Sequence, residues 1–174
     1  MARTNSRPWS FYIFRPELHD WMWGRLKTCG RLPIGLRTLC AGPLFLRDPA
    51  VAEMVMDAIL HRDLRVFQLH ASVVMPNHVH LLMTPLEAVS KVMQSLKRFT
   101  ARQANLRLGR TGQPFWQDET YDRLVRNETE FERITHYMEW NPVTAGLVEA
   151  PEDFHWSSAT PISNRPQVSN LPHI

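Results

Sequence analysis

The sequence predicts a single α+β domain built on a small antiparallel sheet, and three observations carry that prediction. A chain of 174 residues is the length of one domain. Its 44% hydrophobic content is enough for a buried core. Its segments then read in the order strand, helix, strand, strand, helix, helix, which suits helices packed on an antiparallel sheet rather than a parallel βαβ array.

The elements follow from local chemistry. Residues 1–33 hold Trp9, Trp21 and Trp23 without a clean period and read as an N-terminal extension. An extended stretch over Ile34–Cys40 opens the domain and leads through Ala41-Gly42-Pro43 to Leu44–Leu46. Asp48-Pro49 supplies an N-cap with proline at the first helical position. Val51, Val55, Ala58 and Ile59 then recur at helical spacing, predicting a helix over Pro49–His61. Phe67–Met75 and His78–Thr84 read as strands joined by a turn at Pro76-Asn77, with Pro85 as the stop.

A longer helix is expected over Val89–Leu108, followed by a loop with Gly112, Pro114 and Phe115-Trp116-Gln117. Asn127 with Glu130 three residues on is a capping-box signature for the last helix. That helix is expected to end at Trp140-Asn141, because Pro142 disfavours helix at the residue before it. The domain closes near Ser158, and residues 159–174 read as a loose tail.

Several function classes fall away on composition. No apolar run approaches the ~20 residues of a membrane span, and MARTNSRPWS lacks the apolar region of a secretory signal, so a cytoplasmic location and no membrane partner are expected. Cys29 and Cys40 are too few for a disulfide framework and lack zinc spacing. Of the 20 cations, all but Lys27, Lys91 and Lys97 are arginines, whose planar fork suits phosphate and base edges. Lys91, Lys97, Arg98, Arg102, Arg107, Arg110, Arg123 and Arg126 face only Asp118, Glu119 and Asp122 over one stretch. That excess points to a polyanion, although a solvated helix face would carry similar charge.

Two further features carry chemistry. In the strand beginning at His78, Val79, Leu81 and Met83 point one way while His78 and His80 point the other, about 7 Å apart along the strand. That spacing lets two imidazoles converge on a divalent cation, but His-x-His alone also fits two half-exposed strand histidines. His70 and the methionines at 54, 56, 93 and 138 read as ordinary strand and core residues. On the last helix, Phe131, Ile134 and Met138 form an apolar stripe. Tyr137 lies roughly 120° away from its centre, leaving its hydroxyl available. Asn141 is one turn later on the same side, where its amide oxygen could be a third ligand.

Taken together, the chain resembles the single-tyrosine HUH transposases, most closely the REP-associated tyrosine transposases. The matching pieces are Val73–Leu82 (VVMPNHVHLL), Gln94–Lys97, Phe115-Trp116-Gln117, Tyr121-Asp122 with Val125-Arg126, His136-Tyr137, and Asn141-Pro142-Val143. Ala145–Val148 and Pro151–Ser158 complete the series, so the resemblance spans residues 44–158. The first forty residues depart from it: only Gly35–Leu39 approximates the usual opening strand. His136–Trp140 also replaces the usual aromatic-rich run before Asn-Pro.

The resemblance implies a ferredoxin-like or RRM-like antiparallel sheet with helices on one face, the histidines on a central strand and the tyrosine on a C-terminal helix. It implies Tyr137 as nucleophile and a Mg²⁺ or Mn²⁺ site at His78, His80 and Asn141, with no small-molecule cofactor. Single-stranded or hairpin DNA would be cleaved and rejoined at REP-like palindromes. Lys97, Arg98, Arg102, Arg110 and Arg126 would contact DNA, and Phe115 would stack on an unpaired base. Trp116 and Trp156 are assigned to packing instead. A monomer is preferred over a homodimer. Two rivals remain: a non-catalytic hairpin-binding protein that keeps the fold, and a metal phosphoesterase using water, which would not need Tyr137.

Overall fold

The computed structural model describes residues 9–14, 43–118 and 120–160. Among these, the order is β1 (Trp9–Phe14), α1 (Pro49–Leu60), β2 (Phe67–Met75), β3 (His78–Pro85), α2 (Val89–Arg107), β4 (Tyr121–Val125) and α3 (Glu128–Thr144). Every strand pair is antiparallel and the sheet runs β2-β3-β1-β4, so β3 is a central strand flanked on both sides.

The two faces of β3 bury different things. Val79, Leu81 and Met83 join α1 and α2 residues such as Val51, Val55, Ile59, Val92 and Leu96 in the larger core. On the opposite face, Leu82 meets Ala71, Val73 and Met75 of β2, Val125 of β4, and Ile134 and Met138 of α3. Each such buried aliphatic side chain contributes about 1.5–3 kcal/mol. The α+β class and antiparallel sheet are as expected. Helices on one face describes α1 and α2; among the described residues α3 is the one helix on the other face, because its stripe fits the strand positions that alternate with theirs.

Local chemistry explains most boundaries. Asp48 caps α1, its side chain accepting from Ala50 N at 2.9 Å, with Pro49 at the first turn. Pro76-Asn77 makes the two-residue turn that pairs Met75 with His78. In α3, Asn127 Oδ1 accepts from Glu130 N at 2.9 Å, while the Glu130 carboxylate reaches back to Arg126 N at 2.9 Å. The buried Glu130 also pairs with Arg123 of β4, which ties the start of α3 to the sheet edge.

Three expectations change. Trp9–Phe14 is an interior strand, paired with β3 and β4, so part of the stretch read as an extension belongs to the domain. The strand expected at Ile34–Cys40, both cysteines, and the tail from residue 161 lie outside the described residues. Tyr121–Val125, to which the sequence assigned no element, is an edge strand. Finally, α3 runs through Pro142 to Thr144. Proline removes one donor but its φ suits a helix. A Schellman closure then holds the last turn: Leu147 N donates to Pro142 O at 3.0 Å and Gly146 N to Val143 O at 2.9 Å. Gly146 takes the φ of +69° that this closure requires.

One buried acid bears on stability. Asp57 of α1 has its pKa pushed up to about 6, first by burial and then by Glu53 one turn earlier. A folded-state pKa above the unfolded one gives stability that is complete below about 3.8 and is lost as pH rises through about 6. Above that window the ionised carboxylate costs about 1 kcal/mol after allowing for its open side. Asp57→Asn is therefore expected to raise the melting temperature by roughly 2–4 °C at pH 8 and to leave it unchanged near pH 3.5, as scanning calorimetry would show.

Candidate active site

The central strand and the lone helix of the open face bring four side chains together. His78 and His80 are both on that face of β3 by strand alternation. His78 is half-buried and His80 is 1% exposed. Their Nε2 atoms lie 2.7 Å apart with the rings nearly perpendicular. From α3, the Asn141 amide nitrogen is 2.7 Å from the same His80 Nε2. Tyr137, one turn earlier, sets its ring edge-on to His80 at a centroid distance of 5.7 Å. Its side chain is 54% exposed, so its hydroxyl is open to a ligand. Met138 and Ile134, buried in the smaller core, fix the helix rotation that aims Tyr137 and Asn141 at the histidines.

The donor set fits a divalent cation. His78 Nδ1–H donates to Asn77 Oδ1 at 2.6 Å, which leaves the lone pair of a neutral His78 on Nε2. His80 Nε2 faces that lone pair and the Asn141 amino group at once. One ring nitrogen cannot donate to the first and accept from the second with the same orbital. A cation would take both imidazole lone pairs, with the Asn141 amide turned to present Oδ1. Among the described residues no cluster of three His, Cys, Asp or Glu side chains could hold a metal, and the side chain beside the histidine pair on α3 is the Asn141 amide.

The expected DNA contacts divide. Phe115 is 2% exposed, stacked on Phe45 and edge-on to Trp116, so it pins the loop to the core and has no face free for a base. Trp116 donates Nε1–H to Thr100 Oγ1 at 2.8 Å, as packing requires. Lys97 donates to Gln117 O, Asp118 O and Thr120 Oγ1 at 2.5–3.3 Å, which makes it a clamp on the same loop. Arg98 and Arg102 are exposed on α2, across the sheet from Tyr137, and Arg110 stacks its guanidinium over Phe45 at 4.4 Å. Arg126 is exposed just past β4.

Two arginines to which the sequence assigned no site role meet at the start of α3. Arg123 and Arg133 both approach Glu130, on the flank of α3 that carries Tyr137. The alternation of Tyr121, Arg123 and Val125 was the available sign that Arg123 belongs to this face. His70 stays apart: it lies at the β2 bulge, its Nε2 2.8 Å from Thr84 Oγ1 and its ring against Phe131, and burial holds its pKa down.

Comparison with known proteins agrees with this architecture. No curated protein matches the sequence. A REP-associated tyrosine transposase, solved bound to a REP hairpin, superposes with a TM-score of 0.59 at 18% identity, covering 98% of this chain and 95% of that one. At that identity the likeness establishes the fold. A transposase structure from Deinococcus radiodurans R1 aligns at a TM-score of 0.45 and 18% identity, over 80% of this chain and 95% of that chain. The model of the IS200-like transposases matches residues 50–141, more than half of the chain, from α1 through both histidines to Asn141. With that match, this chain belongs to the IS200-like transposase family.

Proposed function

We propose that this protein cleaves and rejoins single-stranded DNA at hairpin-forming palindromes through a covalent 5′-phosphotyrosine on Tyr137. The observation that carries this reading is the exposed phenol of Tyr137 edge-on to His80, with the Asn141 amide on the same His80 nitrogen. The hairpin held by the structural relative supports a palindromic substrate.

A Mg²⁺ or Mn²⁺ ion held by His78, His80 and Asn141 would act as a Lewis acid on the scissile phosphate. The chain's own residues do the rest. Tyr137 Oη forms a bond to phosphorus and the bond from phosphorus to the 3′-oxygen breaks. The phenol proton leaves to solvent, and the departing oxygen takes up a proton as a 3′-hydroxyl. Since one phosphodiester replaces another, a 3′-hydroxyl can reverse the step without ATP. Asn77 holds His78 in the tautomer that keeps Nε2 on the site. The buried Met138 and Ile134 hold Tyr137 at the angle from which it can attack.

Incubating the protein with labelled single-stranded palindromic hairpins and Mn²⁺, then resolving it on a denaturing gel, tests this reading. A covalent protein–DNA species that disappears with chelator is expected. Tight hairpin binding with no such species across several palindromes would identify a binding protein instead.

A further inference from the structure

Tyr121 has no role in the reading so far, yet its position is specific. In the sheet register, Ile13 of β1 pairs with His80 on one side and with Tyr121 on the other. His80, Ile13 and Tyr121 therefore form one row across the sheet. Directly opposed residues share a face, so Tyr121 lies on the face that carries the histidines. Two inter-strand steps place it about 10 Å from the His80 row position. It is 56% exposed, with its ring open above the sheet edge.

The wall of this surface is α3. Glu130 contacts Arg123 on β4, so the flank of α3 bearing Glu130 is turned towards the β4 side of the sheet. Tyr137 is seven residues, about two turns, further along that flank and so faces the same way. Tyr137 and Tyr121 therefore stand on the same face of the sheet, Tyr137 on α3 and Tyr121 on the edge strand, with β1 between β3 and β4 in the register. Arg123 and Arg133 bring two guanidiniums to the single carboxylate of Glu130 on this side. Asp122 and Leu124 alternate to the other face of the sheet. This face of β4 and flank of α3 combine an open aromatic ring, two guanidiniums on one carboxylate and the proposed nucleophile.

We propose that Tyr121 is a base-stacking platform for the single strand running to or from the phosphate at Tyr137. The proposal rests on the DNA-cleavage reading above for the identity of the strand, and it names the side of α3 along which that strand lies. Every base presents a π-face, so such a platform holds a strand without reading its sequence, while Arg123 and Arg133 face its phosphates. Tyrosine is also favoured in edge strands for its β-propensity alone, and the test separates these causes.

The probe is a short single-stranded oligodeoxythymidylate with one 2-aminopurine, titrated into wild type, Tyr121→Val and Tyr121→Trp in the presence of Mn²⁺. Valine keeps the strand propensity and loses the ring; tryptophan keeps a ring. Wild type and Tyr121→Trp are expected to quench the 2-aminopurine at one position of the oligonucleotide. Tyr121→Val is expected to bind roughly 5- to 100-fold more weakly and to lose that quench, with an unchanged melting temperature. Tyr121→Val binding within twofold of wild type, with the quench retained, would overturn the stacking role. The adduct assay with wild type is run alongside. A Tyr137 adduct together with wild-type binding by Tyr121→Val sinks the platform alone, whereas ring-dependent binding without an adduct sinks the cleavage reading alone.

Discussion

Tyr137→Phe is expected to abolish the covalent protein–DNA species while leaving hairpin binding within about twofold of wild type. The substitution removes one oxygen and keeps the ring that meets His80 edge-on. Because the side chain is largely exposed, the core loses nothing and the melting temperature should not move. Loss of a covalent nucleophile typically lowers the rate on the order of 10⁴-fold or more, since neighbouring groups cannot supply the missing bond. Denaturing gels of both proteins with the same labelled hairpin and Mn²⁺ would show it. Strand cleavage that persists in the phenylalanine variant would assign the reaction to water and remove the tyrosine from it.

The second large effect is expected at the histidines. His80 Nε2 is the atom on which His78 and Asn141 both converge, so His80→Ala removes the centre of the donor set. Mn²⁺ binding, followed by electron paramagnetic resonance, is expected to weaken by at least about 100-fold, beyond what changes behind a ligand normally cause. Adduct formation should fall with it. His80 is also buried, so truncation leaves a cavity costing about 2–4 kcal/mol, visible as a lower denaturation midpoint. His78→Ala separates the two losses. His78 is half-buried, so that variant should lose Mn²⁺ binding and adduct with a much smaller stability cost. Wild-type Mn²⁺ affinity in His78→Ala would exclude the pair as a metal site.

What the sequence revealed, and what it hid, follows from which interactions are local. The β2–β3 hairpin was legible because Pro76-Asn77 separates two strongly patterned strands, and α1 and α3 because Asp48 and Asn127 cap them. Two periodicities, two residues in a strand and about four in a helix, put His78 with His80 and Tyr137 with Asn141, while the meeting of the two pairs was implied by the family resemblance alone. β1 was missed because its pairing partners lie some seventy and more than a hundred residues away in the chain, although Pro8 and Pro16 punctuate its two ends. Its run Trp-Ser-Phe-Tyr-Ile-Phe, rich in aromatic residues, was the cue available. β4 was missed for the opposite reason: in Tyr-Asp-Arg-Leu-Val two charges sit side by side, and Val125 alone of the five is buried, so a short, mostly exposed edge strand shows no period of two. Phe115 looked exposed because glycine and proline surround it, but tertiary stacking on Phe45 overrode that loop context. The end of α3 was misplaced because Pro142 forbids only one hydrogen bond, and the Schellman closure beyond it was invisible in the local rule.

The split of the sheet into two unequal faces has a consequence for how such a protein can diversify. Among the described residues the larger core, under α1 and α2, holds most of the buried apolar side chains. The other face carries, among the described residues, one helix and a smaller cluster, and it is where the proposed chemistry and strand-binding surface lie. Mutations along β4 and the open flank of α3 therefore draw on a reserve of stability held on the far side of the sheet. A lineage built this way can change β4 and the rest of that flank and still fold, provided that Tyr137 stays with His78, His80 and Asn141 wherever the proposed chemistry is kept.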